Sequence, residues 1–345
     1  MAYTTIDDPT IHFTTNLRSG LYGGSDTAFD IGFQPDWIWN KKRSGTGVHS
    51  LFDSVRGFGS SGKVLYSNTN GAEATNALIK SVSSTGFTVT ASSDDTGTMV
   101  DWCWKAGGSA SSNSDGDITS SVSVNTTAGF SIVSYTGNGS ATQTIGHGLG
   151  AVPKWMIFKR RNSSSDWIVY HNKTGATKYL SLNLTGAASA YEPYFANTEP
   201  TSSVFTVDTA GDINGSSDTF IAYLFSEIKG YSKFSSYKGN GNANGTFVYT
   251  GFRPAWVMSK RTDATDGWRI RDAKRDVDNP AQHRLLANAS DAEVVASSQD
   301  TDFLSNGFKI RNSDSGYNAS GGTYIYLAFA SNPFVNSNGA PANAR

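Results

Sequence analysis

Gly32-Phe33-Gln34-Pro35-Asp36-Trp37, Gly150-Ala151-Val152-Pro153-Lys154-Trp155 and Gly251-Phe252-Arg253-Pro254-Ala255-Trp256 are one stretch written three times. In each, a Gly-x-x-Pro-x-Trp turn feeds a short apolar run that ends in a basic pair: Lys41-Lys42, Lys159-Arg160 or Lys260-Arg261. The signature prolines Pro35, Pro153 and Pro254 stand 118 and 101 residues apart. That is the period of a small domain, since solenoid repeats run to roughly 20–50 residues.

Working outward, further segments match in the same order. Residues 167–170 and 268–271 match 49–52, and residues 179–183 and 284–288 match 64–68. Residues 204–207 and 307–310 match the run at Gly86-Phe87, and residues 219–225 and 323–329 match the closing run 98–104. Nearly all are short, β-rich and bounded by Gly, Asn, Asp or Ser, which is strand-and-turn chemistry. Leu180-Ser181-Leu182-Asn183-Leu184 alternates at period two, as a half-buried strand does. Helical periodicity is confined to 72–79 and 291–297, with room for about two turns at most in each.

The expected fold is all-β: three tandem antiparallel β-sandwich domains, jelly-roll or lectin-like, produced by internal duplication. Their bounds are 1–107, 128–230 and 231–335. Residues 108–127 are small and polar and read as a mobile linker, whereas residues 227–234 leave almost no spacer, so copies two and three are expected to form a rigid pair. Residues 336–345 read as a polar tail with no core to join. A length of 345 residues agrees with two or three cores, and 36 glycines with 12% aromatics suit strands joined by many turns.

Composition excludes several functions. A net charge of −1 creates no field for nucleic acid, and Cys103 alone makes no intrachain disulfide. No apolar run reaches the ~20 residues of a membrane span, so membrane insertion is not expected. The N-terminus lacks signal-peptide regions, so synthesis in a cytoplasm without secretory cleavage is expected.

The candidate chemistry is binding chemistry. Trp37, Trp155 and Trp256 follow turn prolines and open apolar strands, where core anchors belong; a sugar-stacking platform is the competing reading. Trp167, Tyr170 and Trp268 are the better glycan-stacking candidates, because Asp166 and Arg269 flank the two tryptophans. Lys41, Lys42, Lys159, Arg160, Lys260 and Arg261 form either a ladder of cationic sites for an acidic glycan or charged strand ends that block edge pairing. Asn113 to Asp117 and Asp212 to Asp218 resemble calcium loops in composition but lack EF-hand spacing, and such clusters also make ordinary turns. Five scattered histidines, no Gly-x-Ser-x-Gly elbow and turn carboxylates such as Asp94-Asp95 give no catalytic constellation and no metal set. The expectation is a non-enzyme without cofactor, calcium aside.

Several motifs resemble one group of proteins: Tyr3-Thr4-Thr5-Ile6-Asp7-Asp8-Pro9, Gly32 to Trp37, Asp53-Ser54-Val55-Arg56-Gly57, Gly129-Phe130-Ser131-Ile132-Val133 and Gly146-His147-Gly148-Leu149-Gly150. Gly230-Tyr231-Ser232-Lys233-Phe234, Leu304-Ser305-Asn306-Gly307-Phe308-Lys309 and Thr323-Tyr324-Ile325-Tyr326 belong with them. The group is a set of virion proteins of marine tailed phages, such as those infecting cyanobacteria and abundant ocean bacteria. The resemblance implies a particle-associated protein with concanavalin-type sandwiches and assigns no catalytic residues. The expected role is a structural protein on the particle surface, as tail fibre or spike for host attachment. Capsid decoration or a head fibre is the alternative, and a glycan-degrading spike a further one. Expected partners are other virion proteins, copies of itself as a trimer, and a host glycan.

Overall fold

Short runs of Val, Ile, Thr and aromatics cannot close a helix before Gly or Asn breaks them, so they pair as antiparallel strands. The computed structural model describes residues 3–92 and 95–341, so Asp94 and residues 342–345 of the expected tail lie outside the described residues. The first large sheet runs Phe13–Ser19, Thr98–Trp104, Trp37–Lys42, His49–Asp53, Lys63–Tyr66, Ala74–Thr75. The second keeps the order Phe130–Thr136, Thr219–Phe225, Trp155–Arg160, Ile168–His171, Lys178–Ser181, Ser189–Ala190, as does the third with Ser232–Lys238, Thr323–Pro333, Phe252–Arg261, Arg269–Asp272, His283–Leu286, Val294–Val295. Each faces a small sheet: Thr27–Asp30, Gly86–Val89 and Ile79–Ser83; Gln143–Gly146 and Val204–Val207; or Phe247–Tyr249, Gly307–Ile310 and Thr301–Leu304.

Strand side chains alternate between faces, and here both faces of each large sheet are covered. One face packs on its own small sheet, through Ile38, Phe52 and Phe87, through Met156, Phe158 and Phe205, or through Val257, Phe308 and Tyr326. The opposite faces meet in a single cluster common to all three copies. Trp37, Trp39, Trp102 and Trp104 join Trp155, Ile157, Tyr223 and Phe225, and both join Trp256, Met258, Leu327 and Phe329.

Three expectations are corrected. Residues 108–127 are no free linker: Ser111–Asn113 and Ser120–Asn125 add two strands to the second large sheet. Ser120-Ser121-Val122-Ser123-Val124 alternates at period two, and Val122 with Ile118 enters the second core. The windows 72–79 and 291–297 are mostly extended, with Ala74–Thr75 and Val294–Val295 as edge strands and only a single 3-10 turn at Ser297–Gln299. The α-helical turns fall instead at Glu192–Phe195, Gly211–Asn214 and Ser315–Asn318. Finally, the described part of the tail is tied down, because the Ser337 amide donates to Asp7 at 2.7 Å. Thr4 Oγ1 donates to the Lys229 carbonyl at 2.9 Å and the Tyr3 hydroxyl to the Gly251 carbonyl at 2.8 Å, so the described N-terminal residues rest where the second copy meets the third.

Candidate functional site

Most residues singled out in the sequence converge on the junctions between copies. Lys41 Nζ donates to the carbonyls of Lys42 (2.6 Å) and of Ser290 in the third copy (3.4 Å). Lys159 Nζ does the same with Arg160 (2.9 Å) and Asn70 of the first copy (3.2 Å). Lys260 Nζ repeats it with Arg261 (2.6 Å) and Thr185 of the second copy (3.2 Å). Each carbonyl across the junction also accepts a backbone amide, from Gly47, Ser165 and Asp266 respectively. One contact is thus made three times, each copy reaching to a different neighbour, which closes a ring with threefold pseudo-symmetry. Burial pushes all three lysines down to about 8.

The indoles follow the same rule. Trp167 Nε1 donates to the Tyr66 carbonyl of the first copy at 2.9 Å, and Trp268 Nε1 to the Ser181 carbonyl of the second at 2.9 Å. His49 holds that place in the first copy. Its Nδ1 accepts from Trp39 Nε1 at 2.8 Å, while Nε2 lies beside the Leu286 backbone of the third copy without good hydrogen-bond alignment.

These positions correct the binding candidates. Trp167 and Trp268 are 0% exposed and Tyr170 1%, with the Tyr170 hydroxyl given to Glu199, so no ring face is open to a sugar. The basic ladder does not form either. Lys41, Lys159 and Lys260 are enclosed. Lys42, Arg160 and Arg261 bind Thr96 (2.8 Å), Asp218 (2.7 Å) and Asp263 (2.7 Å). Trp37, Trp155 and Trp256 lie in the shared cluster. The acidic loops are closed by protein donors: Asp117 takes Thr144, Asp212 takes Ser165 and Tyr194, and Asp218 takes Arg160 and Asn162.

Two junctions carry buried charge. Asp53 pairs with Arg56, which reaches Glu73 (3.4 Å), which binds Arg161 of the second copy (2.9 Å); the Tyr223 hydroxyl of that copy donates to Asp53 at 2.7 Å. Likewise Asp272 pairs with Arg275, which binds Glu293 (2.7 Å), which binds Arg43 of the first copy (2.7 Å), and Trp102 Nε1 donates to Asp272 at 2.9 Å. Burial opposes the charge on Arg56, but Asp53, Tyr223 and Glu73 together hold it above its ordinary value. Burial likewise opposes the Glu293 carboxylate, and its bonds to Arg43 and Arg275 outweigh that and hold it low.

A cleft also differs among the copies. In the first copy a space of about 410 Å³ opens between the large sheet and its loops, lined by Asn40, Ser50, Tyr66, Asn76, Leu78 and Met99 among others. Beneath it, Arg18 binds Asp95 (2.7 Å) and Asp101 (3.0 Å), and Asn40 Nδ2 donates to Asp101 at 2.6 Å. Strand register places Phe158, Ile168, Phe220 and Ala222 of the second copy at Asn40, Ser50, Met99 and Asp101. The helical turn Glu192–Phe195 adds Phe195 against Phe158 at 5.9 Å between ring centroids. In the third copy Ser259, Arg269, Tyr324 and Tyr326 take those places, and Tyr317 from the turn Ser315–Asn318 lies 5.0 Å from the Arg269 guanidinium. The cleft is therefore filled in two copies and open in one.

Sequence reasoning missed these residues. A signal existed: Asn40 interrupts the apolar run from Trp37 at the place where the second copy continues with Phe158.

A family model described as a domain of unknown function, DUF7483, matches residues 8–333. No curated protein and no solved structure matches the chain.

Proposed function

We propose that this chain, which belongs to the DUF7483 family of unknown function, is a structural protein exposed on the surface of a tailed-phage virion, as a tail-fibre or spike component for host attachment. The finer architecture belongs to the same reading: three tandem, lectin-like β-sandwich domains descended from one by duplication. The observation that carries it is the ring. The residues the copies share sit in corresponding contacts between copies, in the shared tryptophan cluster and in the lysine-to-carbonyl bonds, and so serve assembly rather than chemistry.

A rigid body of this kind leaves recognition to loops and clefts. Repeated weak sites on a homo-oligomer, a trimer by preference, would add avidity toward a host glycan. Other virion proteins are the remaining partners. A non-enzymatic role needs no cofactor, and the acidic loops already engaged by protein donors suit that role. Capsid decoration is the second reading, favoured by the bond from Ser337 to Asp7, which ties the described N- and C-terminal segments to each other.

The test is a gold label on the C-terminal residues of the protein in intact virions, read by electron microscopy. Label at the tail tip is the expected result. Label over the head replaces attachment with decoration, and absence from the particle defeats both.

A further inference from the structure

We infer that the cleft of the first copy binds a neutral, polyhydroxylated ligand: a hexose unit of a glycan. The inference deepens the attachment reading and rests on it only for the biological source of the sugar.

The charged groups at the cleft are already engaged by other protein groups, the two carboxylates by Arg18 and Lys42 by a hydroxyl. Asp95 accepts from Arg18 and from the Leu21 amide, Asp101 from Arg18, Asn16 and Asn40, and Lys42 donates to Thr96. The uncharged groups are not. Asn40 uses only its amide nitrogen and Asn76 only its amide oxygen, and the hydroxyls of Ser50 and Tyr66 have no partner among the described residues. Four neutral hydrogen-bonding groups with free capacity thus share one space with the apolar surfaces of Val48, Leu78 and Met99. That combination suits a sugar, whose hydroxyls need donors and acceptors while its C–H face needs apolar contact.

The filled copies argue that the opening is not required for folding. Phe158 and Ile168 pack the same positions with apolar side chains, which stabilise a core more than Asn and Ser do. A buried network of Arg18, Asp95, Asp101 and Asn40 kept in their place is a costly way to build a sandwich and a suitable floor for a polar ligand.

The test titrates the purified full chain with glucose, galactose, mannose, N-acetylglucosamine and glucuronate, observed by saturation-transfer NMR. At least one neutral hexose is expected to bind. Ser50→Ile, which copies the second repeat, is expected to weaken it at least about tenfold, and Tyr66→Phe, which removes one hydroxyl, by about three- to tenfold. Binding by none of the neutral sugars, preference for glucuronate, or unchanged affinity in both variants overturns the inference. If Ser50→Ile fails to fold, Tyr66→Phe decides alone. Sugar binding by a chain that is absent from virions would defeat only the attachment reading; a virion protein that binds none of these sugars would defeat only this one.

Discussion

At the junction of the first copy with the second, Asp53, Arg56, Glu73 and Arg161 form one continuous chain of charge, and Asp272, Arg275, Glu293 and Arg43 repeat it between the third copy and the first. At the junction of the second with the third the same four positions are His171, Thr174, Ala188 and Thr262. Backbone contacts persist regardless, since Glu73, Glu293 and Ala188 each donate an amide across their junction, to Arg161, Arg43 and Thr262. Docking therefore does not need the charge. What differs is the side chain offered by the neighbour: Tyr223 and Trp102 bring a buried donor to Asp53 and Asp272, whereas the register puts apolar Leu327 at the corresponding place of the third copy. A buried donor without an acceptor is unfavourable, a carboxylate answers it, and that buried charge then requires an arginine. With Leu327 there is no donor to answer, and burial keeps His171 neutral by lowering it to about 3.

The strongest way to break the comparison is to remove what all junctions share. Trp37 stacks on Tyr223 of the second copy at 4.5 Å and lies 4.5 Å from Trp104. Trp37→Ala is expected to cost about 3–5 kcal/mol, and urea unfolding followed by fluorescence and circular dichroism should shift as one transition. A variant in which one copy melts alone would show that the core is not held in common.

Next come the charged positions. Asp53→Ala or Asp272→Ala leaves a fully enclosed arginine short of its closest partner, and each is expected to cost about 3–5 kcal/mol. His171→Ala loses a bond from the Lys173 amide and some packing, and about 1–2 kcal/mol is expected. Equal losses at Asp53 and His171 in denaturant titrations would erase the distinction between junctions.

The lysine contact, common to all three junctions, gives a pH dependence of unusual sign. Lys41, Lys159 and Lys260 lie near 8 when folded, below the ~10.4 of an unfolded lysine. Between those values the unfolded chain holds more protons, so stability rises with pH and is lost as pH falls through 8, by roughly 3 kcal/mol at most for each lysine. Tyrosines raised by burial, such as Tyr223, oppose the trend only above about pH 10. Melting temperature should therefore climb from pH 7.5 to 9.5 in the native protein and flatten in a variant with Lys41, Lys159 and Lys260 changed to Met. An identical slope in both would remove the lysines from the account.

Much of the order of strands along the chain was legible because turn glycines, signature prolines and period-two runs recur at matching places. The burial of both faces was not. An indole such as Trp167 beside Asp166 reads as half-exposed until a neighbouring copy supplies the Tyr66 carbonyl that receives it. The same holds for Lys41, which is a strand-end charge in one copy and an enclosed donor only once Ser290 arrives from another. The serine-rich stretch before Phe130 misled for a different reason: small residues suit a sheet edge as well as a linker, and only the alternation at Val122 and Val124 separates the two. The cleft was hidden because open space follows from side chains that are small where their counterparts are large, which emerges only when the copies are placed in register.

The finest distinction between junctions is testable by transplant. Ala188 and Thr262 occupy the places where Glu73 meets Arg161 and Glu293 meets Arg43, with the same backbone bond between them, Ala188 amide to Thr262 carbonyl at 2.9 Å. Ala188→Glu with Thr262→Arg should therefore find the geometry of the existing pairs. Those pairs are partly open to water, with the Arg43 side chain 18% exposed and that of Arg161 22%. The gain is then that of a screened ion pair, about 0.5 kcal/mol, and it should shrink in high salt. A double-mutant cycle isolates the coupling from the single changes. A coupling of zero would mean that backbone register alone does not carry the pair, and that Arg56 and Arg275, behind the two natural glutamates, are what make those junctions accept it.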